Sequence, residues 1–223
     1  MAEKKQKINK TVAVFLIVMT VLSFTNLIRI EIGGSLLKIA GFVVVIGVVA
    51  FFVTRGTNDS KYEGLNIKTA LSQMKSKKVI ILILIPVIFD VLTIFIDRAF
   101  FPEVTEHMLA RLPFEIDASR MVLILIELLV VPLGEEIALR AFYQKQLTKL
   151  TGFVPALIIA SFIFAMGHFS YDSPVVVILD LAGVFIDSII FGLIFKETDN
   201  AWCSWISHSL ADIVAVIVIM CLA

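Results

Sequence analysis

Seven stretches of the chain are continuously apolar and are set apart by shorter polar segments. They run over about 11–28, 36–53, 79–96, 120–142, 153–169, 174–195 and 202–222. A helix needs about 20 mostly apolar residues to cross the hydrocarbon core of a bilayer, so each run reads as a membrane helix. Transmembrane strands alternate apolar and polar residues in segments of about ten, and these runs do not alternate. The pattern predicts an all-α, polytopic transmembrane helical bundle of about seven spans. Residues 54–78 form the longest polar stretch, and "YEGLNIKTALSQMKSKK" within it predicts a short interfacial helix.

Composition agrees with the pattern. The 223 residues are 59% hydrophobic and 17% charged, with a mean hydropathy of +0.99. A soluble domain would be near 45–50% apolar and about 25% charged. This length allows one compact helical domain. The formal net charge is zero, which leaves no global basic field to attract nucleic acid. Cys203 and Cys221 lie in apolar surroundings, with no spacing that suggests a disulfide framework or a structural zinc site.

The N-terminus, "MAEKKQKINK" before "TVAVFLIVMTVLSF", reads as a retained first helix. Its apolar run is longer than a signal-peptide core, and no A-x-A-like site follows. With the N-terminus in the cytoplasm and seven spans alternating, 13 of the 19 Lys and Arg residues fall on the cytoplasmic side. Basic residues favour that side, so the expected protein is a multi-pass cell-membrane protein with a cytoplasmic N-terminus. The 97–119 loop then lies outside, with His107 in solvent.

Against this background the stretch "PLGEEIALR", 132–140, is anomalous. An ionised side chain at bilayer depth costs about 2.5–3.5 kcal/mol on insertion scales, and three stand here together. Glu136 and Arg140 are i and i+4, on one helix face and in the better orientation for a pair. Glu135 is five residues from Arg140 and is left without an obvious local partner, free to act as a general base. Equally, both glutamates could line a polar seam that only helps the bundle pack.

Two of the three histidines sit in apolar helices. His168 ends "SFIFAMGH" and His208 lies in "WISHSLADI". His208 and Asp212 are again i and i+4, so the aspartate can orient the imidazole. If the fourth and fifth spans form an antiparallel hairpin turning at Thr151–Gly152, Glu135 and His168 lie level. This requires the fourth span to stay helical through "AFYQKQLTKL". The same levelling leaves His208 about 20 Å from that height at 1.5 Å per residue, a gap that tilt or a broken helix must close.

The motifs carry a resemblance. "EEIALR" fits E-E-x-x-x-R, "FAMGH" (Phe164 to His168) fits F-x-x-x-H, and "HSLAD" (His208 to Asp212) fits H-x-x-x-N/D, in that order and each in an apolar run. Together they resemble the CPBP family of CAAX proteases and bacteriocin-processing enzymes, also called Abi, over about residues 120–215. The resemblance implies accessory helices and loops over 1–119 and a catalytic helical core over 120–223. It implies an intramembrane endopeptidase in which Glu135 activates a water that His168 helps to hold. His208 and Asp212 would stabilise the oxyanion, Glu136 and Arg140 would be structural, and Phe164 would shape the pocket. The third motif ends in Asp212 where Asn is the more familiar residue, and an ionised Asp would repel an oxyanion.

Peptide hydrolysis needs an activated water, an oxyanion stabiliser and a proton for the leaving amine, and Glu135, His168 and His208 are candidates for all three. The reading is metal-free; if zinc is used, the same three side chains would be its ligands. The expected partners are membrane lipid and a peptide or protein substrate, either a CAAX-type C-terminus or a bacteriocin or pheromone precursor. A non-catalytic bacteriocin-immunity or interaction protein on the same scaffold is the competing reading. A transporter relaying protons through Asp90, Asp180, Asp187 and Glu135 is a weaker one, since no paired inverted repeats are visible. Asp90, Glu127, Asp180 and Asp187 are further intramembrane acids of the kind that mark polar paths or complete a cavity wall.

Overall fold

The computed structural model describes residues 8–28, 31–32, 35–36, 39–54, 63–110 and 120–222. Several charged residues that enter the charge count and the 97–119 loop lie outside these: Lys4, Lys5, Lys7, Arg29, Lys38, Arg55, Lys61, Arg111, Glu115 and Asp117. The described part is an all-α bundle of apolar helices. Helix α1 is Lys10–Ser23, α2 Phe42–Thr54, α3 Ile67–Gln73, α4 Lys77–Phe100 and α5 Pro102–Leu109. Then come α6 Met121–Glu136, a π-helical segment Ile137–Gln144, α7 Lys145–Thr151, α8 Phe153–Gly167, α9 Pro174–Thr198 and α10 Ala201–Leu222. Helix α3 stands in the stretch expected to form an interfacial helix, whereas α5 occupies sequence expected to be loop.

Local chemistry sets the boundaries. Asn9 caps α1, its side chain accepting from the Thr11 and Val12 amides, and Asn66 does the same for α3. Ser173 caps α9, with Pro174 at the first helical position, where a missing N–H costs nothing. Gly152, at φ +87°, makes the sharp break between α7 and α8, at the point where the sequence suggested a hairpin.

Among the described residues four helical segments are long and apolar enough to cross a membrane: Lys10–Leu27, Lys77–Phe100, Pro174–Thr198 and Ala201–Leu222. Exposed apolar stripes run along the bundle at helical spacing, as in Val14, Ile17 and Val21 on α1 and Ile81, Ile85, Ile88 and Leu92 on α4. A helix surface of this kind is solvated by lipid, where the helix satisfies its own backbone groups. The chain is therefore a multi-pass membrane protein.

The bundle is centred on the π segment, all eight residues of which are buried. Helix α2 packs on it through Gly47, where a Cβ would run into Ala138. On another side α9 approaches through Gly192, whose carbonyl accepts from Gln144 Nε2 at 3.0 Å. Close helix approach through small residues is the usual way to gain packing in a membrane, where apolar burial against lipid gives little. Tyr143 Oη and Thr20 Oγ1, 2.7 Å apart, tie the segment to α1.

One expectation is corrected. His107 is buried, not solvated. Its Nδ1 lies 2.8 Å from Asp172 Oδ2 and its Nε2 2.9 Å from Ser170 Oγ. The cause is α5, which folds back against α9 and carries His107 onto the loop between α8 and α9. Asp172 also accepts from the Ser173 amide, and these two bonds hold its carboxyl below the usual carboxylate range.

Candidate active site

Three helices deliver the candidate residues to one place. Helix α6 ends in Glu135 and Glu136, α8 ends in Gly167 with His168 as its cap, and α10 brings His208 and Asp212 on adjacent turns. Trp205 Nε1 donates to Leu129 O at 2.7 Å and ties α10 to α6 just before the glutamates.

The two glutamates face different surroundings. Glu136 is fully buried, with Oε2 3.3 Å from Arg140 Nε and Oε1 3.1 Å from His208 Nδ1. Arg140, also fully buried, donates through Nη2 to Ser188 Oγ at 2.9 Å and lies 5.3 Å from the centroid of the Phe164 ring. Two buried charges in contact, with further hydrogen bonds, are the arrangement that a low-dielectric interior tolerates. Glu135 instead lines a cavity, its side chain 13% exposed.

Each histidine is held by its Nδ1. In His208 the Nδ1–H donates to Glu136, and in His168 it donates to the Phe164 carbonyl at 2.9 Å. With Nδ1 so engaged, each ring presents its Nε2 toward Glu135. His168 Nε2 lies 3.9 Å from Glu135 Oε1, and His208 Nε2 lies 3.7 Å from Glu135 Oε2. Asp212 Oδ2 stands 3.7 Å from the same His208 Nε2. Aromatic rings fix the imidazoles: Phe191 stacks on His208 at 4.5 Å, and Phe164 contacts both rings.

All seven residues singled out in the sequence therefore meet: Glu135, Glu136, Arg140, Phe164, His168, His208 and Asp212. The sequence reading had Asp212 orient His208 as its i+4 neighbour. The residue on Nδ1 is Glu136 of another helix, so Glu136 touches both Arg140 and His208. The height gap foreseen for His208 is closed without a broken helix. His168 folds its ring back along α8 onto Phe164, and the Glu135 carboxylate reaches one imidazole with each oxygen. Ser188 and Phe191 were missed, since a lone Ser and a lone Phe in an apolar run carry no signal before their partners are known.

The cavity beside Glu135 has a volume of about 570 Å³ and is walled by α4, α5, α6, α8, α9 and α10. Asp90 of α4 and Asp187 of α9 both line it. Among the described residues no group of three or more His, Cys, Asp or Glu side chains has the arrangement to hold a metal ion. The Glu135, His168 and His208 side chains do not form such a group.

No curated protein and no solved structure matches the chain. A family model does match, over residues 117–214, the part that holds all three motifs. That segment is similar to the intramembrane proteases described as Rce1-like, type II CAAX prenyl endopeptidase Rce1-like.

Proposed function

We propose that the protein is an intramembrane endopeptidase of the CPBP type in which Glu135 activates the attacking water. The carrying observation is the placement of one carboxylate between two imidazole Nε2 atoms at 3.7 and 3.9 Å. Both separations are too long for a direct hydrogen bond and suit one bridging oxygen atom. In this reading Glu135 takes a proton from water as its oxygen attacks the peptide carbonyl, with His168 holding that oxygen. His208, carrying a proton on each ring nitrogen between Glu136 and Asp212, donates its Nε2–H to the developing oxyanion, and Asp212 acts through His208. The proton taken by Glu135 passes to the leaving amine as the C–N bond breaks. Glu136 and Arg140 hold His208 and the helix in place, and Phe164 shapes the pocket.

The finer architecture belongs to the same proposal. Counting α6, the π segment and α7 as one crossing, the apolar helices α1, α2, α4, α6–α7, α8, α9 and α10 make seven spans. Residues 120–223 form the catalytic core and 1–119 the accessory part. All eight lysines among the described residues stand at the end formed by the starts of α1, α4 and α10, and Arg98 and Arg120 stand at the other. This supports a cytoplasmic N-terminus. The substrate is a membrane-associated peptide or protein, of CAAX type or a bacteriocin or pheromone precursor.

The test separates catalysis from a scaffold role in bacteriocin immunity. Glu135→Gln and His168→Ala proteins, inserted at wild-type levels, are expected to lose processing of a membrane-peptide substrate by at least about 10²-fold. Full activity in both variants would eliminate the protease reading.

A further inference from the structure

Among the described residues, the larger cavity lined by Glu135 extends toward one end of the bundle. From Glu135, His208 and Asp212 it runs past Thr93 and Asp97 of α4 to Phe101, Val104 and Met108 at the entry to and along α5. No residue of α3, α7 or the first turns of α4 and α10 lines it. The lysines lie at that other end, where Lys145 pairs with Glu63 and Asp199, Lys78 pairs with Glu197 and Lys196 covers the Phe153 ring.

The lining is rich in carboxyl groups along this path. Besides Glu135 it holds Asp90, Asp97, Glu127, Asp180, Asp187 and Asp212, with His168 and His208 beside Glu135 and no Lys or Arg among the described residues. Arg140 is bonded to Glu136 and Ser188 behind the wall. Buried oxygens remain without a hydrogen-bond partner at Glu127 Oε2 and Asp187 Oδ1. Clefts of one sign with low-dielectric walls concentrate the opposite charge by about 10-fold or more.

We propose that substrate reaches Glu135 from the lysine-poor, extracytoplasmic end of the bundle, as a peptide segment bearing Lys or Arg beside the bond to be cut. The inference rests on the endopeptidase reading and on the orientation above. It extends both by assigning the face of entry and the charge of the segment that enters.

Thiol labelling tests it without any known substrate. Cys221, exposed at the end of α10, reports orientation: an impermeant maleimide added to intact cells is expected to label it. Gly183 lines the cavity and has open space where a Cβ would stand. In a Cys221→Ser background, Gly183→Cys should react from outside intact cells with a trimethylammonium methanethiosulfonate. It should do so about tenfold faster than with the sulfonate analogue, each rate normalised to a free thiol. Ala182→Cys, also on the lining, serves if Gly183→Cys is not inserted. Labelling of Cys221 only in inverted vesicles overturns the proposal. So does cavity labelling confined to the lysine-rich side, absence of labelling from outside, or equal rates for the two reagents. None of these results depends on peptide cleavage, so a failed entry route and a failed protease reading are told apart.

Discussion

At the residue scale the two adjacent glutamates differ because their neighbours differ. Glu136 is enclosed by Arg140 and His208, and Glu135 looks into the cavity. Removing a partner from a buried ion pair leaves an uncompensated charge, which costs about 3–5 kcal/mol. Arg140→Met is therefore expected to lower the unfolding temperature of the detergent-solubilised protein sharply. Adding Glu136→Gln to it should recover much of that loss, because the remaining group is neutral and can still bond to His208. Equal destabilisation by the single and the double variant would deny the pairing. Outside the spans, Asp172 gives a pH expectation. Its folded-state value is depressed, first by the Ser173 amide and then by His107. The tie is thus fully present above the ordinary value of about 3.9 and is lost as pH falls through the depressed one. Amide protection over 169–173, taken relative to the intrinsic exchange rate, should hold at pH 5 and fall only at lower pH.

At the element scale the π segment explains why so many buried residues crowd one stretch. A widened turn occurs mostly as a short bulge and often at functional sites, and here it extends over eight residues directly after Glu136. Gly47 lets α2 lie against it. Gly47→Ala places a methyl group into Ala138, including its backbone, so overpacking should cost about 1–3 kcal/mol. Gly41→Ala, which meets open space, should stay within about 0.5 kcal/mol; comparable melting shifts for the two would contradict the packing account. The apolar helices were legible in the sequence because the runs are continuous, four of them forming helices long enough to span among the described residues, and Gly152 marked the α7–α8 break. Within the site, the Glu136–Arg140 contact follows from i,i+4 spacing and the Glu135–His168 level from hairpin symmetry. The π segment was not legible, since its residues have no period that separates a π turn from an α turn. Nor was the burial of His107, which depends on α5 packing against a loop 65 residues further along the chain.

At the scale of the whole molecule, the bundle sorts charge by end and by depth. Lysines gather at one end, carboxylates line the cavity toward the other, and the few charges between them converge on Glu135, Glu136, Arg140, His168 and His208. Such groups are costly at bilayer depth and are kept where they do work. The central claim is that the spare carboxylate of this cluster drives peptide hydrolysis. The most direct measurement compares the membrane peptidome of cells carrying the wild-type protein with that of cells carrying Glu135→Gln at equal membrane levels. Peptides with new C-termini that are present with the wild-type protein and missing with the variant are the predicted result. Identical peptidomes, with cleavage products of the wild-type protein persisting in the variant, would contradict the account.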